Sequence, residues 1–183
     1  MNHELILERY EKYFNLLKRV FDPEKVENMF ESLGERIAVC PISNLETEGG
    51  QPGSMVEFSL HIAQKAKDFA SEHDLVKSAI RVSLVHELGR IGDLEHSLYK
   101  EQDSDWHREK LGQTYKFNEE CPKMNVSHRT LFLLQHFGIE LTQDEWIATL
   151  MSHGYDSDDH RFYKPQSHIL SSVIQYSRAC VLS

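Results

Sequence analysis

Apolar residues recur at helical spacing along most of the chain. Over residues 4–20 they come three or four positions apart, as Ile6, Tyr10, Tyr13 and Leu17 illustrate, a spacing typical of an amphipathic helix. The same spacing recurs in segments that begin near residues 23, 54, 75, 127, 143 and 166. The pattern therefore predicts an all-α fold of about seven helices.

Polar residues and glycines predict where several of these helices begin and end. Asp22, which precedes a proline, has the residue type and position of an N-cap. Residues 54–57 and 142–145 each place a hydroxyl residue three positions before a glutamate, the pattern of a capping box. Asp74 is expected to cap the fourth helix, and Gly34 to follow the end of the second.

Three stretches interrupt the helical pattern. Residues 41–53 contain two prolines and three glycines, so a loop is predicted there. Residues 98–100 and 114–117 are predicted to pair as a short hairpin around a polar loop. A second polar loop is predicted over residues 156–165.

Length and composition narrow the class of protein. The chain of 183 residues fits one domain, with two helices and a loop over residues 1–49 and a core over residues 50–183. Its net charge of −9 disfavours a non-specific nucleic-acid binder. Because no apolar run approaches the roughly 18 residues of a membrane span, and the first residues lack a signal-peptide pattern, a cytoplasmic protein without membrane contact is expected. Three cysteines without paired spacing indicate reduced thiols.

Residues 79–92 form the segment that indicates a function most clearly. Two apolar residues precede His86-Glu87, and Leu-Gly-Arg follows. This segment resembles the signature of the HD superfamily of metal-dependent phosphohydrolases, which reads apolar, apolar, His, Asp, any residue, Gly, Lys. Residues 53–62 and 127–134 are similar to other segments of small bacterial and phage members. The resemblance implies an HD-domain-like helical bundle with a hairpin inserted near residues 98–118.

The residues that would hold metal in that family are largely replaced in this chain. The resemblance implies divalent cations held by a His, a His-Asp pair and a distant Asp. The corresponding positions are Phe58, then His86 and Glu87, then Ser177. Since phenylalanine has no lone pair to donate, no metal cofactor is expected, although His86 and Glu87 remain candidate catalytic residues.

A second set of ligands is an alternative. Displaced histidines beside the replaced positions would give a site for Mn, Fe, Zn, Ni or Co, and with it an active metal-dependent phosphohydrolase on nucleotides. A displacement of two residues turns a helical side chain by about 200°, which disfavours this alternative. The alternative ligands are His61, His86, Glu87, His128 and His153.

Two arginines favour recognition of phosphate. Arg90 takes the place of the signature lysine, and Arg129 follows Ser127 at the start of a predicted helix, where an anion is favoured. Both arginines are expected at the rim of one cleft. The preferred hypothesis is a catalytically degenerate HD-fold protein that binds a nucleotide-like or phosphate-bearing ligand in the former active cleft, or a protein partner. The aromatic residues of the first helix are compatible with a homodimer.

Overall fold

The computed structural model describes residues 3–71, 74–154 and 169–182, and in them the fold is all-α. None of the helices in these ranges is long and apolar enough to cross a membrane. The eight α-helices of the described residues are α1 His3–Val20, α2 Pro23–Val39, α3 Ser54–Ala70, α4 Val76–Val85, α5 Asp105–Leu111, α6 Val126–His136, α7 Gln143–Leu150 and α8 Ile169–Leu182.

A small hairpin and two 3₁₀ turns complete the secondary structure of the described residues. The predicted hairpin is confirmed: β1 (Tyr99–Glu101) pairs antiparallel with β2 (Tyr115–Phe117), and Tyr99 lies opposite Phe117. The 3₁₀ turns are Glu46–Glu48, within the loop predicted before α3, and Leu88–Ile91, which follows α4.

The extra helix beyond the expected seven is α5, where a polar loop was predicted between the strands. The side chain of Ser104 accepts a hydrogen bond from the His107 amide, and Gly112 ends the helix in a left-handed conformation. None of the seven residues of α5 is buried. A helix without a buried face leaves no hydrophobic periodicity in the sequence, which is why the pattern did not predict it.

Two of the predicted helix starts are confirmed. The Asp22 carboxylate accepts from the amides of Glu24 and Lys25 at 3.0 and 3.3 Å, and caps α2. At α7, Thr142 and Glu145 form both hydrogen bonds of a capping box. At α7 the Glu145 carboxylate also pairs with Arg81 at 2.9 Å without breaking the capping box, so the local polar signal is sufficient there.

The capping or end roles predicted for three residues are wrong. Ser54 is not an N-cap: Gly53 takes that position, and the Ser54 hydroxyl instead joins Ile42 and Gly49 in the preceding loop. Asp74 makes no capping bond, because the N-cap of α4 is Leu75. Gly34 lies inside α2.

The position of Gly34 reflects helix packing. A Cβ atom there would lie 2.5 Å from the Tyr10 hydroxyl, so the glycine permits α1 to approach α2 closely. The helix continues through Ile37, which is fully buried. The prediction of a loop over residues 156–165 and of a helix start at Gln166 lies outside the described residues.

The main core joins α1, α2, α3, α4 and α6 around the turn Leu88–Ile91. Its fully buried side chains include Tyr13, Leu33, Met55, Leu84 and Leu88. Helix α3 packs against both α4 and α8, and the turn packs against α6. This packing holds the end of α4, where His86 and Glu87 lie, between α3, α6 and α8.

Candidate functional site

Glu87 is the centre of a buried polar cluster at the end of α4. Its carboxylate Oε2 accepts from Arg90 Nε at 2.5 Å and lies 3.2 Å from His153 Nε2. The other oxygen, Oε1, accepts from Arg178 Nη1 on α8 and lies 3.6 Å from His86 Nε2. Glu87 is fully buried. We refer to these five residues as the Glu87 cluster.

Both histidines of the cluster are neutral near pH 7. Burial, followed by the charge of Arg178, lowers the pKa of His86 well below its ordinary value of 6.5. Burial and the nearby Arg90 lower the pKa of His153 to about 4. Burial also lowers the pKa of Arg178 to about 10, which leaves its guanidinium protonated. Within the cluster, two guanidinium groups therefore share the single carboxylate of Glu87.

The orientation of His86 is set by the last turn of α4. Its Nδ1 lies 2.8 Å from the carbonyl oxygen of Ser83, and because a carbonyl only accepts, Nδ1 carries the proton. The lone pair is therefore on Nε2, which is buried and has no hydrogen-bond partner among the described residues. Thr130 on α6 holds the same turn, since it donates to the His86 carbonyl at 3.2 Å and accepts from the Gly89 amide at 2.8 Å.

The residues at the family's ligand positions do not fit the metal that the resemblance implies. The ring centroids of Phe58 and His86 lie 6.5 Å apart. The guanidinium carbon of Arg178 lies over the same phenyl ring, 5.4 Å from its centroid. The Ser177 hydroxyl donates to the Val173 carbonyl of its own helix at 2.7 Å. Among the described residues, no group of three His, Cys, Asp or Glu side chains is placed to hold a metal ion.

The alternative set of five ligands is only partly assembled. His86, Glu87 and His153 lie together in the Glu87 cluster. His61 is exposed and lines a cavity beside Phe58, whereas His128 lines a different cavity next to the hairpin. His61 and His128 therefore line separate cavities.

Arg90 and Arg129 line the same cavity, which lies between the hairpin and the start of α6 and has a volume of about 1030 Å³. We call this space the hairpin cavity. Lys123 and His128 also line it, together with Tyr99 and other residues of the hairpin.

The expectation that both arginines lie at a rim is wrong for Arg129. The Arg90 side chain is 18% exposed, but Arg129 is only 2% exposed. Its guanidinium donates to the carbonyls of Gly89 and Pro122 at 3.1 and 2.6 Å, which ties the turn after α4 to the segment before α6. Ser127 is buried and is not among the described residues that line this cavity. A role of these three residues in binding phosphate stays a prediction.

Arg178 is the principal residue of the site that the sequence did not single out. It lies 91 positions after its partner Glu87, so no local motif connects the two. A signal was nevertheless present, because Arg178 is the single charged residue within the 14 residues of α8. A lone arginine in an otherwise uncharged helix indicates a specific buried partner.

Comparison of the chain with protein-family models, with curated proteins and with solved structures gives no match. The resemblance to the HD superfamily therefore stays a hypothesis that rests on the sequence segments themselves. The contacts and charges of the Glu87 cluster and of the hairpin cavity carry the functional argument.

Proposed function

We propose that the chain has an HD-domain-like fold and binds a phosphate-bearing, nucleotide-like small molecule in the hairpin cavity, without the metal-dependent catalysis of the HD superfamily. One observation carries the proposal. Three arginines, Arg90, Arg129 and Arg178, surround the turn after α4, and among the described residues the one carboxylate beside them is that of Glu87, which contacts Arg90 and Arg178.

The charge balance around the turn supports an anionic ligand. Arg90 and Arg178 already share Glu87, and Arg129 donates only to main-chain carbonyls within the described residues. A buried guanidinium without a carboxylate is unfavourable unless an anion compensates its charge. The chain as a whole carries a net charge of −9, so a local excess of positive charge is contrary to its composition.

Arginine geometry and cavity size support a phosphate group in particular. A guanidinium presents parallel N–H donors that match two oxygens of a phosphate. A volume of about 1030 Å³ accommodates a ligand larger than free phosphate. Tyr99 and Phe117, whose ring centroids lie 5.5 Å apart, provide aromatic surface beside the basic wall.

The replaced ligand positions support binding without HD-type catalysis. Phe58 offers no lone pair, and both carboxylate oxygens of Glu87 accept from arginines. A divalent cation at Glu87 would meet two guanidinium charges at close range, which repel it.

A thermal-shift titration tests the proposal. Inorganic phosphate, pyrophosphate and a nucleoside monophosphate are added to chelator-treated protein, and the melting temperature is expected to rise with ligand concentration. Arg90→Gln should remove most of the shift. Arg129→Lys, which keeps the charge of this buried side chain, should weaken it, whereas Arg108→Gln on exposed α5 should leave it unchanged. No shift with any of the ligands, or an equal shift in Arg90→Gln, would contradict the proposal.

A metal-dependent phosphohydrolase acting on nucleotides is a second candidate, favoured by the Nε2 of His86, which has no hydrogen-bond partner within the part of the chain that the structure describes. Its lone pair lies near Glu87, and His153 Nε2 contacts the same carboxylate. The second candidate requires stoichiometric metal in the purified protein and phosphate release that is lost in His86→Ala. Elemental analysis of the purified protein, together with phosphate release from nucleotides with added Mn²⁺ or Co²⁺, separates the two candidates.

A further inference from the structure

A second cavity lies on another side of Arg90. It has a volume of about 700 Å³ and is lined by residues of α3, α8 and the loop that precedes α3. Phe58, Arg90 and Arg178 form part of its wall. We call it the Phe58 cavity. Arg90 lines both this cavity and the hairpin cavity, whereas Arg129 lines only the hairpin cavity of these two.

The guanidinium of Arg178 is held in a fixed orientation at the wall of the Phe58 cavity. Its side chain is 12% exposed, it lies over the Phe58 ring at 5.4 Å, and its Nη1 donates to Glu87. A guanidinium has five N–H donors, and among the described residues one of them is used by this hydrogen bond. Within the described residues, the remaining donors of Arg178 are therefore available to a group in the cavity.

Two acidic residues line this cavity, and within the described residues neither contacts Arg178 or Arg90. Glu57 pairs with Arg9 of α1 at 2.6 Å, and Glu48 accepts from the Ser43 hydroxyl at 3.2 Å. Glu87, which contacts Arg178, is shared with Arg90. Among the described residues, Glu87 is therefore the one carboxylate that Arg178 and Arg90 contact, while the exposed Glu48, whose hydroxyl partner carries no charge, also lines the cavity.

We infer that the Phe58 cavity is a second oxyanion site, in which Arg178 and Arg90 bind a phosphate group separately from the proposed site at Arg129. The site goes beyond the proposed function, because it uses a different cavity and does not involve Arg129. Since Arg90 faces both cavities, two bound anions would compete for the same guanidinium. Occupation of one site should therefore weaken the other.

Nuclear magnetic resonance of the arginine side chains tests this inference directly. The Nε–Hε signals of ¹⁵N-labelled protein are assigned with single Arg→Lys variants, and inorganic phosphate is titrated at constant ionic strength against chloride. The Arg178 signal is expected to shift and saturate in the wild type, and to do so again in Arg129→Lys. In Arg178→Gln, where the Arg90 signal reports binding, this second binding event should weaken by about tenfold or be lost, because its charged donor is missing. Arg108→Gln serves as the matched surface control and should change neither event.

The outcomes separate the inference from the proposed function. A saturating Arg178 signal with an unresponsive Arg129 signal supports the second site and contradicts the proposed function. A responsive Arg129 signal with an unresponsive Arg178 signal supports the proposed function and contradicts the second site. An Arg178 response that disappears in Arg129→Lys would overturn the inference, since the two sites would then not be separate. If Arg178→Gln fails to fold, the wild-type and Arg129→Lys titrations decide the matter alone.

Discussion

The Glu87 side chain contacts residues from four parts of the chain. It contacts His86 at the end of α4, Arg90 in the following turn, His153 after α7 and Arg178 on α8. Because the side chain is fully buried, its negative charge is the local counterion of both arginines. Neutralisation of this carboxylate would leave two partly buried guanidinium groups without a counterion.

The substitution Glu87→Gln is expected to lower the free energy of unfolding by about 3–5 kcal/mol, the range found when one partner of a buried ion pair is removed. Urea denaturation monitored by circular dichroism measures the change. Glu120→Gln, which removes the surface partner of Lys100, is the control and should leave stability nearly unchanged. A Glu87→Gln variant as stable as the wild type would show that Glu87 is not the required counterion.

At this scale the sequence predicted part of the candidate site. His86, Glu87 and Arg90 follow one another in a recognisable segment, so their proximity could be expected. Arg178 could not be inferred in the same way, because its contact with Glu87 depends on the packing of α8 against α3. The burial of Arg129 could not be predicted either, since its partners are main-chain carbonyls, which every residue has and no sequence pattern identifies.

At the scale of elements, hydrophobic spacing predicted the long helices well and the boundary signals less well. Helices such as α1 and α3 bury one apolar face, and this face is visible in the sequence. Ser54 has the residue type of a cap but serves the preceding loop, and Gly34 has the residue type of a helix end but serves helix packing. Both cases depend on contacts that form only in the folded chain.

The close contact between the turn Leu88–Ile91 and α6 gives a prediction at this scale. A Cβ atom on Gly89 would lie 2.1 Å from the Val126 carbonyl oxygen, a main-chain atom that cannot move independently. Gly89→Ala is therefore expected to lower the free energy of unfolding by about 3 kcal/mol, the upper end of overpacking effects.

Gly112→Ala is the matched comparison for Gly89→Ala. Gly112 has a φ of +63° and open space around its Cα, so alanine meets only the cost of a left-handed conformation, about 1 kcal/mol. Both variants are compared by urea denaturation. Equal effects of the two substitutions would contradict the tight packing of the turn against α6.

At the scale of the whole molecule, the chain is acidic in composition but has a group of arginines in its interior. The chain carries 29 acidic and 20 basic residues, yet Arg90, Arg129 and Arg178 surround the same turn. The two cavities that meet at Arg90 are both lined by elements that the sequence predicted, namely the hairpin, α3, α6 and α8. Their arrangement about Arg90 is a consequence of tertiary packing, which the sequence alone did not predict.

The neutral histidines of the Glu87 cluster make stability dependent on pH. The folded-state pKa of His86 lies well below 6.5, and that of His153 is about 4. The unfolded chain therefore binds protons below pH 6.5 that the folded chain does not. As the pH falls from about 6.5 to 5, the free energy of unfolding should decrease, by at most about 1.4 kcal/mol per pH unit for each histidine.

Urea denaturation at several pH values between 6.5 and 5 checks this dependence. His153→Gln should make the decrease shallower, because one of the two groups no longer takes up a proton on unfolding. His136→Gln, which alters a histidine outside the cluster, is the control for the loss of a histidine side chain as such. Stability that is constant or increases as the pH falls through this window would contradict burial of the histidines in their neutral form.

Binding of a phosphate-bearing ligand without metal is the central claim, and calorimetric titration of metal-free protein tests it most directly. The protein is treated with chelator, its metal content is verified by elemental analysis, and inorganic pyrophosphate is titrated into the wild type and Arg90→Gln. The expected result is saturable binding by the metal-free wild type that is weakened about tenfold or more in Arg90→Gln. Absence of binding, or binding that appears only with a stoichiometric divalent cation, would contradict the claim.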